Sequence, residues 1–219
     1  MRKLVVIDVA SGSQLAVASG YFNGVSFSPA GDELVYGMGK SEGFPQKSDV
    51  YRYAIASGKT ARLTKDGKSE NPLWGPERIV FTKQIGAKQR RYGPKNELYL
   101  MSPNGKGVKR LTNTKVDPLL LGLTPTAWSA DGKRLLAEFV GQDTSYAVGV
   151  SVPSGKQKPV AETGEAGLVG AALSADGMTV LGAVGGPEPG PGHDVVTVPF
   201  GGGKQKVLAK NAYLPDWGF

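Results

Sequence analysis

Two short phrases recur along this 219-residue chain, out of step with each other but sharing one period. The first reads as a strand, a tight turn and a second strand: "GVSFSPAGDELVYG", "NPLWGPERIVFTK", "PTAWSADGKRLLAEF" and "GAALSADGMTVLGAV". Its bulky anchors are Phe27, Trp74, Trp128 and Leu173, and a fifth instance, "YLPDWGF", closes the chain with Trp217. Successive anchors are 47, 54, 45 and 44 residues apart. The second phrase is an alternating strand, a glycine turn and another strand: "KLVVIDVASGSQLAVA", "DVYRYAIASGKTARLT", "ELYLMSPNGKGVKRLT", "YAVGVSVPSGKQKPVA" and "DVVTVPFGGGKQKVLA". Its turn glycines, Gly12, Gly58, Gly105, Gly155 and Gly203, are spaced by 46, 47, 50 and 48. A repeat of this length means that one small structural unit is copied along the chain, each copy burying its apolar surface against the next.

Each full unit reads as four strands, A to D. Strand A carries the bulky anchor and a Ser-Ala-Asp-Gly turn reverses it into strand B, because glycine accepts positive φ and aspartate bonds its own turn backbone. Strands C and D follow through the second glycine turn. Four-stranded antiparallel sheets repeated every 45 to 50 residues are the signature of a β-propeller, an all-β fold. The expected architecture is a single domain over residues 1–219, with four complete blades at about 20–65, 69–114, 122–163 and 167–209. A fifth, closing blade takes strands C and D from residues 1–19 and strand A from 210–219, so that the chain ends meet. No strand B is left for that blade, and a short segment ahead of Met1, carrying that strand and an export signal, is the expected remedy. The anchors are expected to pack between neighbouring blades.

The pattern resembles the TolB-type, WD-like propeller repeats of bacteria. The matching residues are Pro72 and Trp74; Ser28, Pro29 and Gly31; Ser129, Asp131 and Gly132; Asp49, Val50 and Tyr51; and the Leu-Thr pairs Leu63-Thr64 and Leu111-Thr112. The third and fourth units depart from it, with "YAVGV" for the Asp-Ile-Tyr strand, "PVAET" and "VLAKN" for Leu-Thr, and Leu173 for the tryptophan. The resemblance implies a periplasmic or secreted scaffold that binds another envelope or secreted protein and carries no catalysis or cofactor.

The residues themselves offer little chemistry. A serine-histidine-aspartate set would have to be built on the one histidine, His193, with no G-x-S-x-G elbow to present the serine; with one histidine and no cysteine a zinc site would rest largely on carboxylates, against its nitrogen and sulfur preference, and no D-x-D-x-D-G calcium loop occurs. "SGKT" (57–60) and "GGGK" (201–204) look like fragments of phosphate loops but fit C-D turns, with no helix to follow them. His193, after "GGPEPGPG", is expected on an exposed loop. The net charge of +7 comes from dispersed Lys and Arg without a basic, aromatic-interleaved stripe, which argues against nucleic acid as partner. No apolar run approaches the roughly 20 residues of a membrane span, and "MRKLVVIDVASG" is too short and too broken by Asp8 to be a signal peptide.

In such a blade the A-B and C-D turns leave one face of the disc, while the B-C loops and D-to-A connections leave the other. The B-C loops here are long and all different, which is where binding specificity tends to reside. The second of them carries Lys83, Lys88, Arg90, Arg91, Tyr92 and Lys95, a set able to grip carboxylates or sulfates of an acidic protein segment or an anionic polysaccharide. Asp143 and His193 come from other B-C loops and are expected on the same face. Circular dichroism is expected to show a strand-dominated spectrum, and a helix content near the globular average of about a third would contradict the propeller.

Overall fold

The computed structural model describes residues 1–41, 47–86, 94–115, 121–141, 145–161, 167–185, 192–213 and 215–216. All regular structure among them is β-strand, and no helix long and apolar enough to cross a membrane occurs there. The N-terminal hairpin pairs β1 (Arg2–Ile7) with the first half of β2 (Gln14–Phe27). The second half of β2 opens the first unit, followed by β3 (Glu33–Gly39), β4 (Ser48–Ala54) and β5 (Lys59–Arg62). The second unit is β6 (Ser69–Trp74), β7 (Ile79–Ile85), β8 (Lys95–Met101) and β9 (Lys109–Arg110). The third is β10 (Gly122–Trp128), β11 (Arg134–Val140), β12 (Ser145–Ser151) and β13 (Gln157–Pro159). The fourth is β14 (Val169–Leu173), β15 (Thr179–Val184), β16 (Asp194–Pro199) and β17 (Lys206–Ala209).

Within every unit the strands pair antiparallel in chain order. The second and third units are joined into one eight-stranded sheet by a single parallel bridge, Gly122 to Asn96, and no sheet closes on itself. The first strands of successive units lie side by side, β2 against β6, β6 against β10 and β10 against β14, whereas β5 and β17 are exposed along their whole length. The units therefore radiate outward from their first strands. Each first strand carries a register shift, at Asn23/Val25, Glu70/Leu73, Pro125/Ala127 and Val169/Ala172, the kind of bulge that bends a strand and sharpens its twist.

The second strands explain why the units must stack. β3, β7, β11 and β15 are buried or half-buried at every position, on both faces, which matches the apolar runs in their sequences, such as Ile79 to Phe81 and Leu135 to Ala137. Val35 and Val50 of the first unit pack against Ile79, Phe81 and Met101 of the second, with Trp74 alongside. Val80 and Leu98 meet Leu123, Leu135 and Val150 of the third around Trp128, and Leu136 and Val160 meet Leu173, Val180 and Val196 of the fourth. Trp74, Trp128 and Leu173 thus lie in or against these inter-unit clusters. Phe27 is a correction. It is 52 % exposed, because the element in front of the first unit is only the β1-β2 hairpin. That hairpin lays Leu4, Val6 and Val17 on Leu34, Tyr36 and Tyr53 but leaves Phe27 and Val25 uncovered. Trp217 lies outside the described residues, and among those described no strand ladder joins the hairpin to the fourth unit.

Polar residues of the repeat close the unit's corners. In the A-B turns Ser129 Oγ donates to Asp131 Oδ1 at 2.7 Å and accepts from the Arg134 N–H at 3.0 Å, while Gly132 takes φ +66°. Ser174 and Asp176 repeat the arrangement, and Ser28 with Asp32 does so in the first unit. The Leu-Thr signature pins the fourth strand to the third. Thr64 Oγ1 donates to Asp49 Oδ1 at 3.0 Å and accepts from the Val50 N–H at 2.9 Å, and Arg62 Nη2 reaches Asp49 Oδ2 at 2.6 Å. In the second unit Glu97, wholly buried, accepts from Thr112 Oγ1 at 2.5 Å, the Thr114 N–H at 2.8 Å and Arg110 Nη2 at 3.1 Å. The register places Tyr146, Pro159 and Ala161 at these positions in the third unit, so the polar clasp is absent there.

Thr112→Val removes a donor from the buried Glu97 carboxylate and strands the Leu98 N–H, which Thr112 Oγ1 accepts at 2.9 Å. The expected loss is about 1–3 kcal/mol, read as a lower urea midpoint at unchanged slope.

Candidate functional site

The cations expected to face a ligand from the second B-C loop are engaged inside the protein where they can be followed. Lys83, near the end of β7, holds Asp66 at 2.8 Å and lies 5.3 Å from the centre of the Tyr99 ring. Asp66 also accepts from the Lys68 N–H and Ser69 Oγ; burial would raise its carboxyl, and these bonds with Lys83 outweigh that and hold it below the usual range. Lys95, at the start of β8, donates to the Thr114 carbonyl at 2.7 Å and pairs with Glu97 at 2.9 Å. His193 is a second correction. It is only 4 % exposed, wedged against Gly185, with its carbonyl accepting from the Ala212 N–H at 2.9 Å. Lys88, Arg90, Arg91, Tyr92 and Asp143 lie outside the described residues.

Two further features escape the sequence pattern. Glu70, on β6 just before its bulge, is buried; desolvation pushes its carboxyl up, and a hydrogen bond with the Gln84 side chain only partly opposes this. Register could have found the pair's neighbourhood, since Ser69 faces Lys83 and Glu70 faces Thr82 across the β6-β7 ladder.

The second feature is a crevice at the opposite end of the strands, where the A-B turns of the second and third units meet. Its volume is about 270 Å³, and its floor is Trp128. The indole lies flat on the chain at Gly75, where a Cβ would come within 2.7 Å of the ring, and Trp128 Nε1 points to the Leu73 carbonyl at 3.4 Å. Pro76 and Pro153 form walls, and Glu77, Arg78, Asp131 and Lys133 set a rim of mixed charge. Asp131 is already committed to its turn: Ser129 Oγ and the Lys133 N–H hold its carboxyl below the usual range. A small-molecule pocket usually offers about 300–1,000 Å³. This crevice is smaller than that, and Trp128 gives it an aromatic surface.

No protein-family model matches the sequence, and neither does any curated protein sequence. Solved structures do match. TolB from Acinetobacter baumannii superposes with a TM-score of 0.66 at 18% identity, over 95% of this chain and 49% of that one. The fold is a TolB-like β-propeller. A TolB-designated protein of Agrobacterium tumefaciens gives a TM-score of 0.69 at 16% identity, over 96% and 70% of the two chains. An oligogalacturonate lyase in complex with manganese gives 0.66 at 13% identity, over 95% and 60%. The chain thus spans about half the length of the Acinetobacter protein. Among the described residues, no three His, Cys, Asp or Glu side chains of this TolB-like propeller gather as a metal site would require.

The Glu70 carboxyl has a folded pKa above its unfolded value of about 4.5, so ionising it costs stability. That cost is absent below the unfolded value and complete above the raised one. Glu70→Gln is therefore expected to raise the melting temperature at neutral pH and to bring no such gain near pH 4; an equal gain at both would assign the effect to packing.

Proposed function

We propose that this chain is a non-catalytic, extracytoplasmic propeller scaffold that binds another envelope or secreted protein. In this reading its four units are four blades, at residues 20–65, 69–114, 122–163 and 167–209, and the hairpin with residues 210–219 belongs to a fifth. The observation that carries the reading is the Trp128 crevice: an aromatic floor between two proline walls, held by the turns of two stacked units, offers a preformed seat for a protein side chain. The likeness to TolB supports the same direction at the level of fold.

The competing reading is an anionic polysaccharide gripped by the second B-C loop through Arg90, Arg91 and their neighbours. It draws on the likeness to an oligogalacturonate lyase, and it is weakened by the loss of Lys83 and Lys95 to Asp66 and Glu97. Lys133→Trp fills the crevice from its exposed rim without touching the core. Immobilised wild-type chain is expected to retain a protein from envelope extract that Lys133→Trp releases. Binding to acidic oligosaccharides on an array, lost on Arg90→Ala with Arg91→Ala, would overturn the protein-binding reading.

A further inference from the structure

The positive charge is dispersed along the sequence, but the repeat returns much of it to one place. In all four units the residue after the C-D turn glycine is a lysine, and Lys59, Lys106, Lys156 and Lys204 are all exposed. Lys109, Lys158 and Lys206 follow shortly after, also exposed, and residues 55–59, 102–109, 152–158 and 200–206 contain no acid. Hydrogen bonds tie these turns to the A-B turns, and so to the side of the molecule that holds the Trp128 crevice. The Ile55 N–H donates to the Asp32 carbonyl at 3.0 Å, the Val152 N–H to the Lys133 carbonyl at 2.8 Å and the Phe200 N–H to the Met178 carbonyl at 2.8 Å. Val152 and Pro153, which line the crevice, open the turn that carries Lys156, so the recess and the lysine rim are continuous.

The acids on this side are held by their own units. Asp32 accepts from Ser28 Oγ at 2.8 Å and Asp176 from Ser174 Oγ at 2.7 Å, Glu33 pairs with Arg52 at 3.6 Å, and Asp131 belongs to its turn. Glu77 lies on the crevice rim, which it shares with Arg78 and Lys133. Among the described residues no ion pair engages Lys59, Lys106, Lys133, Lys156 or Lys204. The loop side is the reverse, since Lys83 and Lys95 there are taken by Asp66 and Glu97.

We propose that the lysine rim recognises an acidic protein segment, its carboxylates meeting the C-D turns while an apolar side chain of the same partner enters the Trp128 crevice, an assignment that rests on the protein-binding reading of that crevice. Exposed cations around an apolar recess divide the work: the charges steer and orient an acidic partner, and the recess supplies the desolvated contact. A bilayer of acidic lipids would meet the lysines, but its flat headgroup layer has nothing to fill a recess of about 270 Å³. A single nucleic-acid strand would need exposed aromatic rings for its bases, and the one aromatic residue of the C-D turns, Phe200, packs against the core of the fourth unit.

Two charge-matched variants of the 219-residue chain test this. The first combines Lys59→Gln, Lys106→Gln, Lys156→Gln and Lys204→Gln. The second combines Lys40→Gln, Lys65→Gln, Lys68→Gln and Lys115→Gln, at exposed positions in the B-C and D-to-A connections of the opposite side. Titrated with fluorescent poly-L-glutamate, the first is expected to bind about tenfold more weakly than the unsubstituted chain and with a shallower salt dependence, at unchanged circular dichroism and melting temperature. The second is expected to stay within about twofold of the unsubstituted chain. Equal loss in both variants would assign the binding to net charge and overturn the proposal. So would rim-dependent sedimentation with vesicles of equimolar phosphatidylglycerol and phosphatidylcholine in the absence of poly-L-glutamate binding. An envelope protein that the first variant still retains but Lys133→Trp releases would also overturn the acidic partner, while leaving protein binding at the crevice in place.

Discussion

The structure depends on strands that are sealed on both faces. β3, β7, β11 and β15 cannot satisfy themselves within a single sheet, since a sheet one layer thick leaves both faces in water. Each unit therefore needs a neighbour on either side, and the chain supplies it by copying the unit at a fixed period. The clusters around Trp74, Trp128 and Leu173 are three instances of one interface. At the first unit that requirement is only half met, and the consequence is visible side chain by side chain: Tyr36 is sealed beneath the hairpin while Phe27, on the strand paired with it, stays in water.

Burial holds the units together, but polar groups fix where each strand begins and ends. Serine and aspartate in the A-B turns consume backbone donors that a bare turn would leave to water. The acid-arginine-threonine clasp does the same for the short outer strands, which have few apolar contacts of their own. Where the clasp has decayed, in the third unit, β13 is held by Pro159 against Val148 and by the burial of Val160. A motif that reads in sequence as a family signature is thus a device for holding an outer edge.

The fold was legible because its determinants are local and repeated. A glycine turn, a Ser-x-Asp-Gly corner or a tryptophan on a strand means the same thing in every copy. The site was less legible because its determinants are pairwise. Lys95 and Glu97 are two apart on one strand and so share a face, which the alternation of a β-strand could have revealed. Lys83 finds Asp66 only once the β6-β7 register is known, because Asp66 lies just ahead of Ser69, which faces Lys83. His193 follows a run of glycine and proline that reads as exposed loop, yet the absence of a side chain at Gly185 is what lets the imidazole pack inward. Phe27 fails for a different reason: its phrase is intact, and the missing information concerns what stands in front of it.

These facts bear on where a partner can be recognised. On the loop side of the second unit, acids that the fold itself needs have already claimed Lys83 and Lys95, and freeing either cation would leave Asp66 or the buried Glu97 without it. A ligand that recruited Lys83 or Lys95 would have to displace an internal carboxylate held at 2.8 or 2.9 Å. The turn side is built differently. The Asp131 carboxylate is occupied by its own turn, the indole of Trp128 is fixed from below by the backbone at Gly75, and the crevice exists only because two units are stacked. The crevice draws its rigidity from the inter-unit packing, and so from the same two-faced strands that dictate the fold.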